Sequence, residues 1–306
     1  MDYRKANRVF LYAVISSLAL TVLYTLWVSM VPGDLNIILN NALSELVVLV
    51  PALAVVLFHG ERLGNVIIFK KIKLKSVLLT FLYVMLLYPL VTFVNSVSML
   101  FVDNTVLEVS DQILSLPVWQ IVLSFGILGP FIEEIVFRGV ILQSYQRTGR
   151  ILASILLSSF LFGLIHMNFN QFAYGAVMGV MFALLFEATG SVLASFIAHA
   201  VFNTTEALLM YASSDAISEA QQYLDSMEVG DTTLISIGIY FVLAIIGTSL
   251  AMCVVYKMSE IEGRKEFMAS ILKGRKKGTR LITFPLILAI VLAIAYMILL
   301  EVLLSI

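Results

Sequence analysis

The sequence holds one cysteine, six prolines, two tryptophans and three histidines in 306 residues, and only 13% of it is charged. Each scarcity excludes something. A single thiol, Cys253, rules out an intrachain disulfide and a cysteine-rich metal centre; set in an apolar run, it is expected to be buried and inert. So few charges beside 60% hydrophobic residues and a mean hydropathy of +1.01 exclude a soluble domain. His-Glu-x-x-His and Gly-x-Ser-x-Gly are both missing, so neither the zincin helix nor the nucleophile elbow of serine hydrolases is present. The chain shows no internal repeat and no low-complexity tract, which counts against a repeat-built transporter. Nothing marks nucleic acid as a partner.

What remains is an all-α, polytopic transmembrane bundle. Apolar segments fall at about 9–31, 43–59, 76–102, 117–146, 151–167, 171–188, 191–212, 233–257 and 281–305. That gives about nine spans, the fifth and sixth so tightly joined that either could be re-entrant. The first is too long for a signal-peptide core and is read as a retained span. Every Lys and Arg except Arg138 falls on one side of this arrangement. The opposite loops carry acids: Asp34 and Glu45, then Asp103, Glu108 and Asp111, then the stretch 213–231. By the positive-inside rule the N-terminus is cytoplasmic and the C-terminus external. Residues 61–75 and 259–280 mix bases with apolar side chains, which suits either interfacial helices or plain loops. Gly175, Gly179 and Ala183 form a small-residue ridge for close helix packing.

Three charges interrupt the fourth segment. Glu133, Glu134 and Arg138 sit about a dozen or more residues from its ends, deep in a bilayer at about 1.5 Å per residue. Each such charge costs on the order of 2.5–3.5 kcal/mol, so a functional site is the default reading. Glu134 and Arg138, at i and i+4, can form a structural ion pair, while Glu133 points about 100° away. Gly129-Pro130 is expected to break the span and start a half-helix whose positive end lies near Glu133.

Two further segments carry polar groups at one-turn spacing: Phe162 with His166, and His199 with Asn203, with Glu206 continuing the second face. His59 stands apart and reads as an interfacial residue. Counting along the helices puts Glu133, His166 and His199 roughly 21, 24 and 14 Å from the inner boundary. Glu133, His166, His199 and Asn203 are therefore expected to line one polar pocket near mid-membrane, with Glu206 nearer its external rim. Two chemistries stay open for such a set. A carboxylate can take a proton from water with help from a histidine, while His and Asn donors stabilise an oxyanion. Alternatively, Glu133, His166 and His199 can bind a divalent metal such as zinc with a position left for water.

Glu-Glu-x-x-x-Arg at 133–138, Phe-x-x-x-His at 162–166 and His-x-x-x-Asn at 199–203, with Phe-Arg-Gly at 137–139 and Thr-Gly-Ser at 189–191, resemble one known family. It is the CAAX-protease and bacteriocin-processing (CPBP, or Abi) membrane proteins, which include the Ras-converting prenyl-protein endopeptidases. The resemblance covers about residues 117–212. It implies an intramembrane endopeptidase in which Glu133 and His166 activate water, His199 and Asn203 form the oxyanion site, Glu134 supports them and Phe162 backs the site. With the apolar segments on either side, which the resemblance does not cover, the chain is expected to divide into three parts: N-terminal helices with an interfacial segment (1–116), a catalytic core (117–212), and an external acidic loop with two C-terminal helices (213–306). The implied partners are membrane lipid and a peptide or lipidated protein substrate. The family's spread points to a bacterial plasma membrane. The competing reading is a non-proteolytic membrane regulator that keeps the same polar core for packing.

Overall fold

A computed structural model describes residues 1–31, 35–102, 104, 110–212, 230–271 and 280–304. Within them every regular element is a helix, and there is no strand. The long helices are α1 (Tyr3–Met30), α2 (Ile37–Phe58), α3 (Leu74–Ser98), α4 (Val118–Gln146), α5 (Ile151–Leu164), α6 (Phe169–Thr189), α7 (Val192–Ala212), α8 (Gly230–Ile261) and α9 (Phe284–Leu304). Eight of these are long and apolar enough to cross a membrane, and α5 is the shorter ninth. The expected polytopic bundle is therefore the fold. Their surface is inverted relative to a soluble protein: Phe58, Phe101 and Phe284 project outward at 76–87% exposure, as side chains solvated by lipid do.

The charged segment departs from expectation. Gly129-Pro130 does not break α4. Gly129–Glu134 is a short α-helical piece between two π-helical stretches, Val122–Leu128 and Ile135–Leu142. Pro130 has no N–H to donate. The wider register before it, seen in the Gly129 N–H bond to the Ser124 carbonyl five residues back, carries the helix past that gap. Widened turns of this kind gather at functional sites, and these two bracket both glutamates.

Small residues set the interior. A methyl group on Gly163 of α5 would lie 2.6 Å from the Phe172 carbonyl of α6, and one on Gly179 would lie 2.9 Å from the Ser159 Cα. The small-residue ridge is thus spent on α5–α6 contact inside the bundle. α3 packs along α8, and α1 lies against both α2 and α9.

Two other expectations need correcting, for Glu45 and Cys253, and one open reading is narrowed. Glu45 is not in a loop: it lies inside α2, which starts at Ile37 behind an Asn36 cap and so reaches further out than the apolar run suggested. Of the two readings open for residues 61–75, the structure favours the loop: one helical turn, Leu63–Val66, is followed by a strip pinned to the α6–α7 corner before α3 begins at Leu74. There the Val192 N–H bonds the Ile68 carbonyl at 3.0 Å, and Ser191 bonds the Lys70 backbone on both sides. Cys253 is exposed on the outer face of α8, because among its described residues that helix buries only the stripe Ala244, Gly247, Ala251, Val255, Met258 and Ser259 facing its neighbours. The acidic positions Asp34, Asp103 and Glu108 and the stretch 213–229 lie outside the described residues.

Candidate active site

Glu133 leaves the α-helical piece of α4 with its carboxylate between two imidazoles. Its Oε1 is 3.9 Å from His166 Nε2 and its Oε2 is 3.6 Å from His199 Nε2. These gaps exceed a hydrogen bond, yet one water can sit within about 2.8 Å of two of these atoms at once. Each ring is tied on its far side. His166 Nδ1 lies 2.9 Å from the Phe162 carbonyl and His199 Nδ1 lies 3.1 Å from Glu134 Oε1. Both acceptors require a proton on Nδ1, so both rings present Nε2 to Glu133.

Behind this layer lies a drier one. Glu134 is fully buried, and its Oε1 also receives Arg138 Nη1 at 2.7 Å. Arg138 donates through Nη2 to the Gly179 carbonyl at 2.9 Å, joining α4 to α6. Its guanidinium lies 4.4 Å from the Phe162 ring centre and 5.4 Å from that of Phe182. Phe182 stacks on His199 at 4.7 Å, and the Phe162 ring meets both histidines edge-on. Thus the ion pair expected of Glu134 and Arg138 exists, and aromatic rings enclose it.

The sequence brings His166 here through a local device. α5 ends at Leu164, and Met167 takes φ +57°, a backbone conformation unusual for a residue with a side chain. Asn168 locks the turn: its side chain accepts from the Gln171 N–H at 2.8 Å and donates to the His166 carbonyl at 2.9 Å. Asn168 is the N-cap of α6 with Gln three residues on, a start signal readable in the sequence but not singled out.

A cavity of about 430 Å³ opens beside Glu133, with His166 and Asn203 in its wall. His199 is not on that wall; at 5% exposure it stands behind Glu133. Asn203 donates one amide proton to the Phe125 carbonyl at 3.1 Å, in the first π-helical stretch, and keeps a second. Glu206 is exposed and does not line the cavity, and His59 bonds the Val55 carbonyl, away from the site. The opposite wall, absent from the sequence reading, is supplied by α1 and α2 with Ser17, Thr21, Asn41, Ser44 and Glu45. As a metal site the arrangement does not fit: among the described residues no group of three or more His, Cys, Asp or Glu side chains is placed to hold an ion.

Comparison with known proteins agrees with the three motifs. Residues 115–205 match the family model described as type II CAAX prenyl endopeptidase Rce1-like. The chain is also similar to a Bacillus subtilis (strain 168) protein named "Putative membrane peptidase YdiL", 36% identical over 95 residues. That alignment takes in 31% of this chain and 38% of the relative, so the chain spans well under two thirds of the relative's length. No solved structure matches it significantly. The stretch matched by the family model holds Glu133, Glu134, Arg138, Phe162, His166, His199 and Asn203, and with it the resemblance to the CAAX-protease and bacteriocin-processing family is borne out.

Proposed function

We propose that the chain is an intramembrane endopeptidase that hydrolyses a peptide bond of a membrane-associated peptide or protein. Residues 117–212 form its catalytic core, and α1 and α2 complete the cavity. The observation that carries this reading is the Glu133 carboxylate set within 3.9 Å of two Nε2 atoms whose rings are tied on their far sides. In that geometry Glu133 takes a proton from a water as the water oxygen attacks the peptide carbonyl carbon, and His166 orients that water. The second amide proton of Asn203, in the cavity wall, faces the developing oxyanion, while His199, held by Glu134 behind Glu133, positions that carboxylate rather than joining the oxyanion site. The proton taken by Glu133 passes to the departing nitrogen as the C–N bond breaks, giving one carboxyl and one amino end. No step runs through a metal. The distribution of Lys and Arg supports an N-terminus in the cytoplasm and a C-terminus outside, and the family resemblance supports a bacterial plasma membrane.

The test is Glu133→Gln in the full chain, purified in detergent and assayed by mass spectrometry against a pool of synthetic peptides. Cleavage by the wild type and its loss in the variant, with thermal unfolding unchanged, is the expected result. Equal cleavage by both proteins overturns the assignment.

A further inference from the structure

The wall built by α1 and α2 carries a carboxylate with no task in this mechanism. Glu45 lines the same cavity as Glu133, and none of the described side chains donates a hydrogen bond to it or places a cation within 4 Å of it. Its position is fixed. Asn41, one turn earlier on α2, donates to Ser124 Oγ at 3.1 Å and so holds this face of α2 against α4. Gly129 then makes room for the acid: a methyl group there would lie 3.0 Å from Glu45 Oε1. Since Gly129 is one turn before Glu133, the Glu45 carboxylate rests on α4 about 6 Å along the axis from the proposed base. Apart from Glu133 and the His166 imidazole, whose Nδ1 is tied to the Phe162 carbonyl, the rest of the wall is hydroxyls, amides and apolar groups; it contains no Lys or Arg. A second carboxylate at this depth is costly unless something of opposite charge enters the cavity beside it.

We infer that Glu45 forms a specificity subsite for a positively charged group of the peptide, a Lys or Arg side chain or a terminal ammonium, next to the bond that is cut. This rests on the endopeptidase reading and adds to it the charge of the substrate. Extended peptide advances at most about 3.3–3.6 Å per residue, so the cation lies within two or three residues of the scissile bond. Pairing with Glu45 anchors the chain and leaves Glu133 free to meet water. The alternative role, protonation of the leaving nitrogen, would make Glu45 matter equally for every substrate.

Two measurements on the full chain in detergent separate these outcomes. In the peptide pool, wild-type cleavage should favour sites with a basic group at one fixed position. Glu45→Gln should lower the ratio of basic to neutral sites by about tenfold, the worth of one charge-assisted hydrogen bond. Glu45→Lys should turn the preference toward Asp and Glu. An unchanged ratio in Glu45→Gln, or an equal loss at all sites, overturns the subsite. The second measurement needs no cleavage. N-acetyl-lysinamide should raise the thermal unfolding temperature more than its neutral isostere N-acetyl-norleucinamide, and Glu45→Gln should erase the difference. No difference in the wild type overturns the subsite. A difference in a wild type that cuts no peptide upholds the subsite and removes the endopeptidase instead.

Discussion

Glu133 and Glu134 are neighbours in sequence and opposites in setting. Glu134 is buried under a guanidinium, an imidazole and two phenyl rings; Glu133 touches its neighbours only at 3.6–3.9 Å and faces a cavity. A carboxylate gripped by two short contacts, as Glu134 is at Oε1, holds a structure together, whereas one whose contacts are long has room for a water and a substrate. The same contrast separates the two sides of the cavity. The α4–α6–α7 side is cross-braced through Arg138, and the α1–α2 side offers an acid with no partner.

Substitutions can break this comparison. The largest expected effect is on turnover: Glu133→Gln should lower peptide cleavage by about a hundred- to ten-thousand-fold, the usual contribution of a general base, with stability unmoved. Arg138→Ala should do the reverse. Removing one partner of a buried pair strands the other, so unfolding in detergent should show a loss of about 3–5 kcal/mol, well beyond that of Glu133→Ala. Equal stabilities of these two variants would mean that the two glutamates are not divided between bracing and chemistry. Gly163→Ala forces a methyl against the Phe172 carbonyl and should cost about 1–3 kcal/mol by prying α5 from α6. Asn168→Ala should cost about 1 kcal/mol through the lost cap. Because the same side chain holds the His166 carbonyl, cleavage should fall further than stability alone accounts for; a variant as active as the wild type would free His166 from that turn. The smallest effect is expected from a chelator: dialysis against EDTA should leave cleavage unaltered, and recovery only on adding zinc would place a metal among Glu133, His166 and His199.

Much of this was legible in the chain because a membrane makes polar residues conspicuous. Glu133, Glu134, Arg138, His166 and His199 could be picked out of apolar segments, and the structure brings them together. The rest was hidden for identifiable reasons. Two π-helical stretches leave no mark in a hydrophobic pattern, so Pro130 looked like a break when the widened turns absorb it. Glu45 reads as a loop acid because Asn40 and Asn41 end the apolar pattern just before it and leave it at the edge of the 43–59 segment. A membrane helix facing a wet cavity looks like the end of a span when only composition is read. Cys253 misled for the converse reason: in lipid, a small apolar side chain is equally at home inside the bundle or outside it.

That outward Cys253 makes the molecule its own depth gauge. The full sequence contains no other thiol, so any thiol reagent reports from one place, on the outer face of α8 and four residues from Lys257 at its basic end. A lipid-soluble maleimide should label it in intact vesicles while a charged one should not. A spin label there should feel paramagnetic quenchers as a function of their depth in the bilayer. The chain can thus be oriented in its membrane without engineering a single residue.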